Sequence, residues 1–259
     1  MDLELAGKVV LVTGGSDGLG AATCGRLVAE GARVALCARR EDRLRATAAE
    51  LEAAGGDVLA VPADVSSADD VARFVDAAHS RWGRIDGLVN NAGTSAATPF
   101  ESMSDGDLEA DLQLKLFGAV RVSRRVVPHM SAAGGGAILN VLAISAKAPA
   151  PSSIPTAVSR AAGMALTKAM SKDLGPQNIR VNAALVGLIQ SGQWVRRAEA
   201  GGVPVEQVYE RMGKESGIPL GRIGRAEEFA DLIAFLVSPR GAYISGTAIN
   251  VDGGLSPVV

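Results

Sequence analysis

The stretch Thr13-Gly14-Gly15-Ser16-Asp17-Gly18-Leu19-Gly20 decides how this chain of 259 residues is interpreted. It follows a β-branched run at residues 9–12 and precedes an amphipathic stretch at residues 20–30. A glycine loop between a strand and a helix predicts a phosphate site, because unpaired N–H groups and the positive end of the helix dipole meet there. Gly14 allows a tight exit from the strand, Gly18 a close approach to a pyrophosphate, and Gly20 close packing of the helix on the sheet. An ordinary glycine turn is the alternative interpretation.

Short apolar runs alternate with amphipathic stretches along the rest of the chain. This alternation predicts parallel strands joined by right-handed crossovers, and hence an α/β fold with a doubly wound parallel sheet of the Rossmann type. We expect a single domain over residues 1–259, with a mobile, partly helical substrate lid around residues 190–217. The predicted strands are residues 9–12, 33–37, 58–62, 87–90, 136–141, 180–185 and 248–251, and the predicted helices are residues 20–30, 41–54, 68–82, 105–130, 156–174 and 226–237.

Composition excludes several classes of function. A formal net charge of −2 and an aromatic content of 3% do not favour nucleic acid or an anionic membrane as partner. Cys24 and Cys37 form no CxxC pair and have no histidine nearby, so no metal site is expected. The acidic start of the chain has no apolar core of a signal peptide, and no apolar run is long enough to span a membrane. We therefore expect a cytoplasmic protein with reduced thiols.

Several motifs after the glycine loop are similar, in order and spacing, to those of the short-chain dehydrogenase/reductases. The resemblance runs nearly from end to end. It implies an NAD(P)(H)-binding oxidoreductase that acts on alcohol or carbonyl groups. The motifs are Asp64-Val65, Asn90-Asn91-Ala92-Gly93, Arg180-Val181-Asn182-Ala183, Ile218-Pro219-Leu220-Gly221-Arg222-Ile223-Gly224, Ser245-Gly246 and Asp252-Gly253-Gly254.

The resemblance also assigns cofactor contacts beyond the loop residues Gly14, Ser16, Asp17, Gly18, Leu19 and Gly20. Asp64 and Val65 would flank the adenine. Asn91, Ala92 and Gly93 would lie near the nicotinamide-side ribose, and Ile189 and Ser191 would meet the carboxamide. The family usually has Pro-Gly before these last two residues, whereas this chain has Val186-Gly187.

The end of the second predicted strand bears on the choice between NAD and NADP. Residues 37–40 read Cys-Ala-Arg-Arg and contain no carboxylate that would accept hydrogen bonds from a ribose 2′-hydroxyl. Arg39 suits the geometry of a 2′-phosphate, so we expect NADP(H) in preference to NAD(H). The alternative is that both arginines are solvated surface charges.

The family's proton relay consists of Ser, Tyr, Lys and Asn, and all four positions differ here. Ala143 occupies the serine position, Thr156 the tyrosine position, Arg160 the lysine position and Lys115 the asparagine position. Thr is a far weaker acid than Tyr, and Arg is effectively always protonated. Loss of a general acid costs on the order of 10²–10⁴ in rate. Ordinary carbonyl reduction by the family's route should therefore be severely slowed.

Lys115 suggests a repair of this relay. If burial beside Arg160 lowers its pKa, its ammonium would supply the acid that the tyrosine no longer provides. Arg160 would still hold the ribose hydroxyls, and the two cations would also suit an anionic substrate. The alternative is that Lys115 extends into solvent. Of the two tyrosines, Tyr209 is the one placed to swing toward the site, since Tyr243 directly precedes the last strand.

These observations leave three hypotheses. The first is an NADP(H)-dependent oxidoreductase with a remodelled site at Lys115, Thr156 and Arg160. The second is a catalytically silent homologue that acts as the structural or regulatory partner of an active paralogue. The third is a lyase or isomerase without net hydride transfer. The resemblance implies a homotetramer or dimer, and we read His79 and His129 as surface residues.

Overall fold

A computed structural model describes all residues, 1–259. Strands and helices alternate as the sequence predicts, and the predicted boundaries fall within about two residues of the observed ones. The strands are β1 (Val9–Thr13), β2 (Arg33–Ala38), β3 (Val58–Pro62), β4 (Gly87–Asn90), β5 (Gly136–Ala143), β6 (Ile179–Val186) and β7 (Ala248–Val251). The helices are α1 (Gly18–Ala29), α2 (Glu41–Ala53), α3 (Ala68–Trp82), α4 (Asp105–Leu112), α5 (Gly118–Ala132), α6 (Ile154–Leu174), α7 (Gly192–Ala200), α8 (Val205–Glu215) and α9 (Ala226–Val237).

All seven strands pair in parallel in one sheet, in the order β3-β2-β1-β4-β5-β6-β7. This is the predicted Rossmann fold. The strand order reverses between β1 and β4, and in such sheets the crevice at the carboxyl ends of those strands is where ligands bind. The glycine loop leaves β1 at that crevice.

Alternating side chains of each strand fill a core on each side of the sheet. Val10 and Val12 belong to a cluster of 23 buried residues that includes apolar side chains of α1 and α9. Val9 and Leu11 belong to a second cluster of 19, shared with α3 and α5. Because both faces are covered, the strands read as continuous apolar runs.

One prediction about the helices needs correction. Residues 105–130 do not form one regular helix, because a π-helical turn at Gln113–Phe117 separates α4 from α5. The partly helical segment predicted as a lid contains the two helices α7 and α8, and its mobility stays a prediction. His79 and His129 are partly exposed, and their rings stack on each other with centroids 4.0 Å apart.

None of the helices is both long enough and apolar enough to cross a membrane. The side chains also form no group of three or more His, Cys, Asp or Glu residues suited to a metal ion.

Candidate functional site

The glycine loop has the backbone conformation that its residue types predict. Gly14 and Gly18 lie in the left-handed region, with φ of 67° and 51°, where a Cβ is disfavoured. At Gly20 a Cβ would overlap the carbonyl oxygen of Gly14. The first turn of α1 therefore lies directly against the end of β1, and its N–H groups face the crevice where a phosphate would bind.

Residues at the end of β4 support the loop from behind. The Asn91 side chain donates to the carbonyl oxygens of Thr13 and Gly14, each at 3.0 Å. The Thr13 hydroxyl accepts from the backbone N–H groups of Asn91 and Ala92, also at 3.0 Å. The amide of Asn91 thus holds the loop in place, and its side chain is not free to contact a ligand through this group.

A cleft of about 1030 Å³ runs from the glycine loop to the start of α6 and is covered in part by α7. It brings together nearly all the residues predicted to bind cofactor. Ser191 lines it as well, and the Ser191 Oγ is buried without a hydrogen-bond partner. The predicted residues that line the cleft are Gly14, Ser16, Asp17, Gly18, Leu19, Gly20, Arg39, Asp64, Val65, Asn91, Ala92, Gly93, Ala143, Thr156, Arg160 and Ser191.

Two predicted residues lie elsewhere. The side chain of Ile189 packs in the core and is 5% exposed, and Ile189 does not line the cleft. Lys115 lies behind the cleft wall, where it lines a small cavity of about 20 Å³ together with Arg160.

Sequence reasoning identified Arg39 and Arg40 but missed the ion pairs that gather further arginines around Asp17 at the loop end of the cleft. The Asp17 carboxylate meets Arg196 of α7 at 2.7 Å, Arg43 of α2 at 3.3 Å and Arg40 at 3.6 Å. Arg39 is exposed and lines the cleft beside them. This end of the cleft is rich in guanidinium groups, which suits an anionic ligand such as a phosphate.

The other end of the cleft contains Thr156 and the two predicted cations. Pro155 lies at the start of α6, where its missing N–H does no harm, and it places Thr156 in the first turn. The Thr156 hydroxyl accepts from Lys115 Nζ at 2.9 Å and from Arg160 Nε at 3.3 Å. A second nitrogen of Arg160 donates to the Val141 carbonyl oxygen at 3.2 Å.

The π-helical turn carries Lys115 into this cluster. Such turns are rare in proteins, and those that occur are often found at functional sites. Gly118, directly after the turn, lies so close to Val65 that a Cβ would contact the valine Cγ2 at 2.8 Å. The Lys115 side chain is 6% exposed, so the alternative that it extends into solvent is wrong.

A buried carboxylate that sequence reasoning did not identify completes the cluster. Asp111, on α4, is 2% exposed and pairs with Lys115 at 2.5 Å. Its other oxygen accepts from the Ser159 hydroxyl of α6, also at 2.5 Å. The spacing of four residues between Asp111 and Lys115 was a signal available in the sequence, whereas the partner on α6 was not.

Burial and charge set the protonation of this cluster. Desolvation, followed by the nearby Arg160 guanidinium, lowers the pKa of Lys115 to about 8, although Asp111 opposes that shift. Desolvation also lowers the pKa of Arg160. A lysine with its pKa lowered in this way is better suited to act as a general acid than a lysine in solvent.

The two tyrosines lie outside the cluster. Tyr209 lines a separate cavity of about 370 Å³ with Arg222 and Arg225. Burial raises the pKa of its phenol, and the nearby backbone of Ser191 opposes that shift. Tyr243 is fully exposed. Neither phenol is placed beside Thr156.

Comparison with known proteins identifies the family to which this fold belongs. The family model for enoyl-(acyl carrier protein) reductases matches residues 14–256. The 3-oxoacyl-[acyl-carrier-protein] reductase of Thermotoga maritima is 34% identical over 256 residues, which cover 98% of this chain and 99% of that protein. The chain belongs to the short-chain dehydrogenase/reductase family. It is thus an oxidoreductase of that family.

Two solved structures of family members are similar over nearly the whole chain. L-sorbose reductase from Gluconobacter frateurii, in complex with NADPH and L-sorbose, has a TM-score of 0.95 and 34% identity, with 100% of both chains covered. An NADPH-bound short chain oxidoreductase from Pseudomonas aeruginosa PAO1, described as containing an atypical catalytic center, has a TM-score of 0.92 and 38% identity over 97% of this chain and 98% of that one. The NADPH in both neighbours and the glycine cradle here support a cofactor of the NAD(P) type.

Proposed function

We propose that this family member is an NADP(H)-dependent reductase of carbonyl groups in which Lys115 supplies the proton through Thr156. One observation carries the proposal, namely that the Thr156 hydroxyl accepts hydrogen bonds from both Lys115 and Arg160. A hydroxyl has two lone pairs and one O–H donor. With both lone pairs engaged by cations, the O–H of Thr156 is left to donate into the cleft, where a substrate oxygen would lie.

The residues of this chain divide the chemistry between them. NADPH, held by the glycine loop, would supply the hydride for the carbonyl carbon. Thr156 donates its proton to the carbonyl oxygen and takes one from the Lys115 ammonium, so that no free threonine alkoxide forms. Arg160 remains charged throughout and stabilises the negative charge that develops on the oxygen. Lys115 is left as a neutral amine and recovers a proton from water.

The preference for NADP over NAD rests on the end of β2. Arg39 lines the cleft there and is exposed, and no carboxylate stands at residues 37–40 to bind a ribose 2′-hydroxyl. A guanidinium at this place would pair with a 2′-phosphate. Titration with NADPH and NADH, followed by nicotinamide fluorescence, tests this preference. Tighter binding of NADH would contradict it.

Turnover is tested by the loss of NADPH absorbance with a panel of carbonyl compounds. The panel should include a 3-oxoacyl thioester and L-sorbose, because relatives are named for reactions on such compounds. We expect Lys115→Met and Thr156→Val to lower kcat by about 10²–10⁴, and Thr156→Ser to retain most activity. Lys172→Met, on an exposed face of α6, is the matched control. Equal rates for Lys115→Met and the control would reject the proposal.

A catalytically silent homologue is the second candidate. Ala143, at the end of β5, lines the cleft and offers no hydroxyl to orient a substrate oxygen. A protein that binds NADPH, turns over nothing in the panel and co-purifies with an active paralogue would favour this candidate. If the protein is an enzyme, we expect an anionic substrate, since the cations of Lys115 and Arg160 meet at Thr156.

We also propose a homo-oligomer formed through α5 and α6. Phe117, next to α5, and Val158, on α6, are apolar side chains that are 44% and 43% exposed, and a subunit contact over these helices would cover both. Sedimentation of the pure protein tests this proposal, and a monomer would contradict it.

A further inference from the structure

The buried carboxylate of Asp111 has a larger part than packing in the cluster behind the cleft. Both of its oxygens are engaged, one by Lys115 and the other by Ser159. Lys115 then reaches Thr156, and Ser159 lies on the same turn of α6 as Thr156. One carboxylate therefore fixes the lysine relative to the hydroxyl that faces the cleft.

The charges around Lys115 also give Asp111 a part beyond packing. The charged groups that face Lys115 are Asp111 from α4 and Arg160 from α6. From α5, Arg121 bonds Gln113 instead and does not reach Lys115. Without Asp111, two cations would share a buried site with no counter-ion, which strongly disfavours the charged form of the lysine.

We propose that Asp111 is the positioning residue of this site, which keeps Lys115 protonated and directed at Thr156. This inference rests on the proposed role of Lys115 as proton source. Asp111 touches neither cofactor nor the cleft. It acts through the lysine in two ways, by charge and by geometry. Replacement by an uncharged residue removes the first, and replacement by a longer acid disturbs the second.

The charge effect is measured directly on the lysine, without substrate. Protein labelled with ¹³C at the lysine Cε positions is titrated by NMR, and Lys115→Met assigns the Lys115 signal among the six lysines. In the wild type the signal should titrate near pH 8. In Asp111→Asn, and in Asp111→Ser as a second neutral replacement, the midpoint should fall by at least about one pH unit. Thermal unfolding and NADPH fluorescence show which of the two variants is folded.

Matched variants separate charge from structure. Ser159→Ala cuts the other hydrogen bond of Asp111 without changing charge, so the midpoint of Lys115 should stay at its wild-type value. Asp111→Glu keeps the charge and should also leave the midpoint near pH 8. Its kcat should nevertheless fall at least about tenfold, because the longer side chain displaces Nζ from Thr156 while the KM for NADPH is unchanged.

The outcomes distinguish this inference from the proposed function. An unchanged midpoint in a folded neutral variant, or full kcat in Asp111→Glu, would overturn the role of Asp111. In the neutral variants, the pH at which kcat for carbonyl reduction declines on the alkaline side can be compared with the titration midpoint of Lys115. If both move to lower pH together, both proposals are supported. If the midpoint of Lys115 moves to lower pH but the alkaline decline of kcat does not, Lys115 is not the proton source. The proposed function then fails together with the positioning role of Asp111.

Discussion

Replacing Lys115 by Met tests whether the ion pair behind the cleft is buried as described. The substitution leaves the Asp111 carboxylate, 2% exposed, with Ser159 as its one remaining partner. Removing one member of a buried pair costs about 3–5 kcal/mol, because the other charge stays in a medium of low polarity. For a chain of this size about 1 kcal/mol shifts Tm by about 2–4 °C, so Tm should fall by about 6–20 °C.

A double variant supplies the control for this cost. Asp111→Leu combined with Lys115→Met removes both charges of the pair, and Ser159 can still donate to the Thr156 carbonyl oxygen, 3.2 Å away. It also leaves Arg160 buried without the carboxylate that stabilises its charge. We therefore expect the double variant to be no more stable than Lys115→Met alone.

The free energy of unfolding is measured by urea denaturation at one fixed protein concentration, with far-UV circular dichroism as the signal, and Tm by calorimetry. A loss of less than about 1 kcal/mol in Lys115→Met would place the lysine in solvent and refute the reasoning. So would a double variant that is more stable than the single one.

Three further predictions concern the rest of the molecule. Gly20→Ala should abolish NADPH binding and lower the urea midpoint, because the added methyl overlaps the Gly14 carbonyl oxygen; unchanged fluorescence titration would contradict this. Arg39→Ala should weaken NADPH binding about 10- to 150-fold, because the loss of one charge-assisted hydrogen bond is worth about that factor in affinity. NADH binding should be unchanged. Arg124→Ala, at an exposed position, is the control. Burial of the imidazole, and then the nearby His79, lowers the pKa of His129, so the neutral form is favoured in the folded state. Stability should thus fall as pH drops below about 6.5, and the urea midpoint of His129→Gln should depend less on pH over that range.

The fold was predictable because its signals are local. Each strand buried on both faces reads as an apolar run, and the glycine loop carries its own backbone requirements at Gly14 and Gly20. The order of motifs along the chain then identified the residues that line the cofactor end of the cleft. Lys115, Thr156 and Arg160 could also be brought together, because the family resemblance relates their positions.

The contacts that complete the site could not be predicted, because they join residues far apart in the chain. Asp111 and Ser159 are 48 residues apart, and Asp17 and Arg196 are 179 apart. Neither pair has a periodicity that would mark it. Such contacts depend on how α4, α6 and α7 pack, which local patterns do not specify.

The π-helical turn at residues 113–117 also determines which mutations could move Lys115 relative to the buried face of α5. Each residue of a regular helix advances the side chains by about 100°. A regular helix from Asp111 to Val126 would place Lys115 on the same side as Val122 and Val126, which are buried against the sheet. One additional residue in the turn separates these two faces. Deletion of a single codon between Lys115 and Val122 would leave six steps of about 100° in a regular helix, so the lysine and the valines would stay on different sides and the turn could be lost without moving the lysine against the sheet.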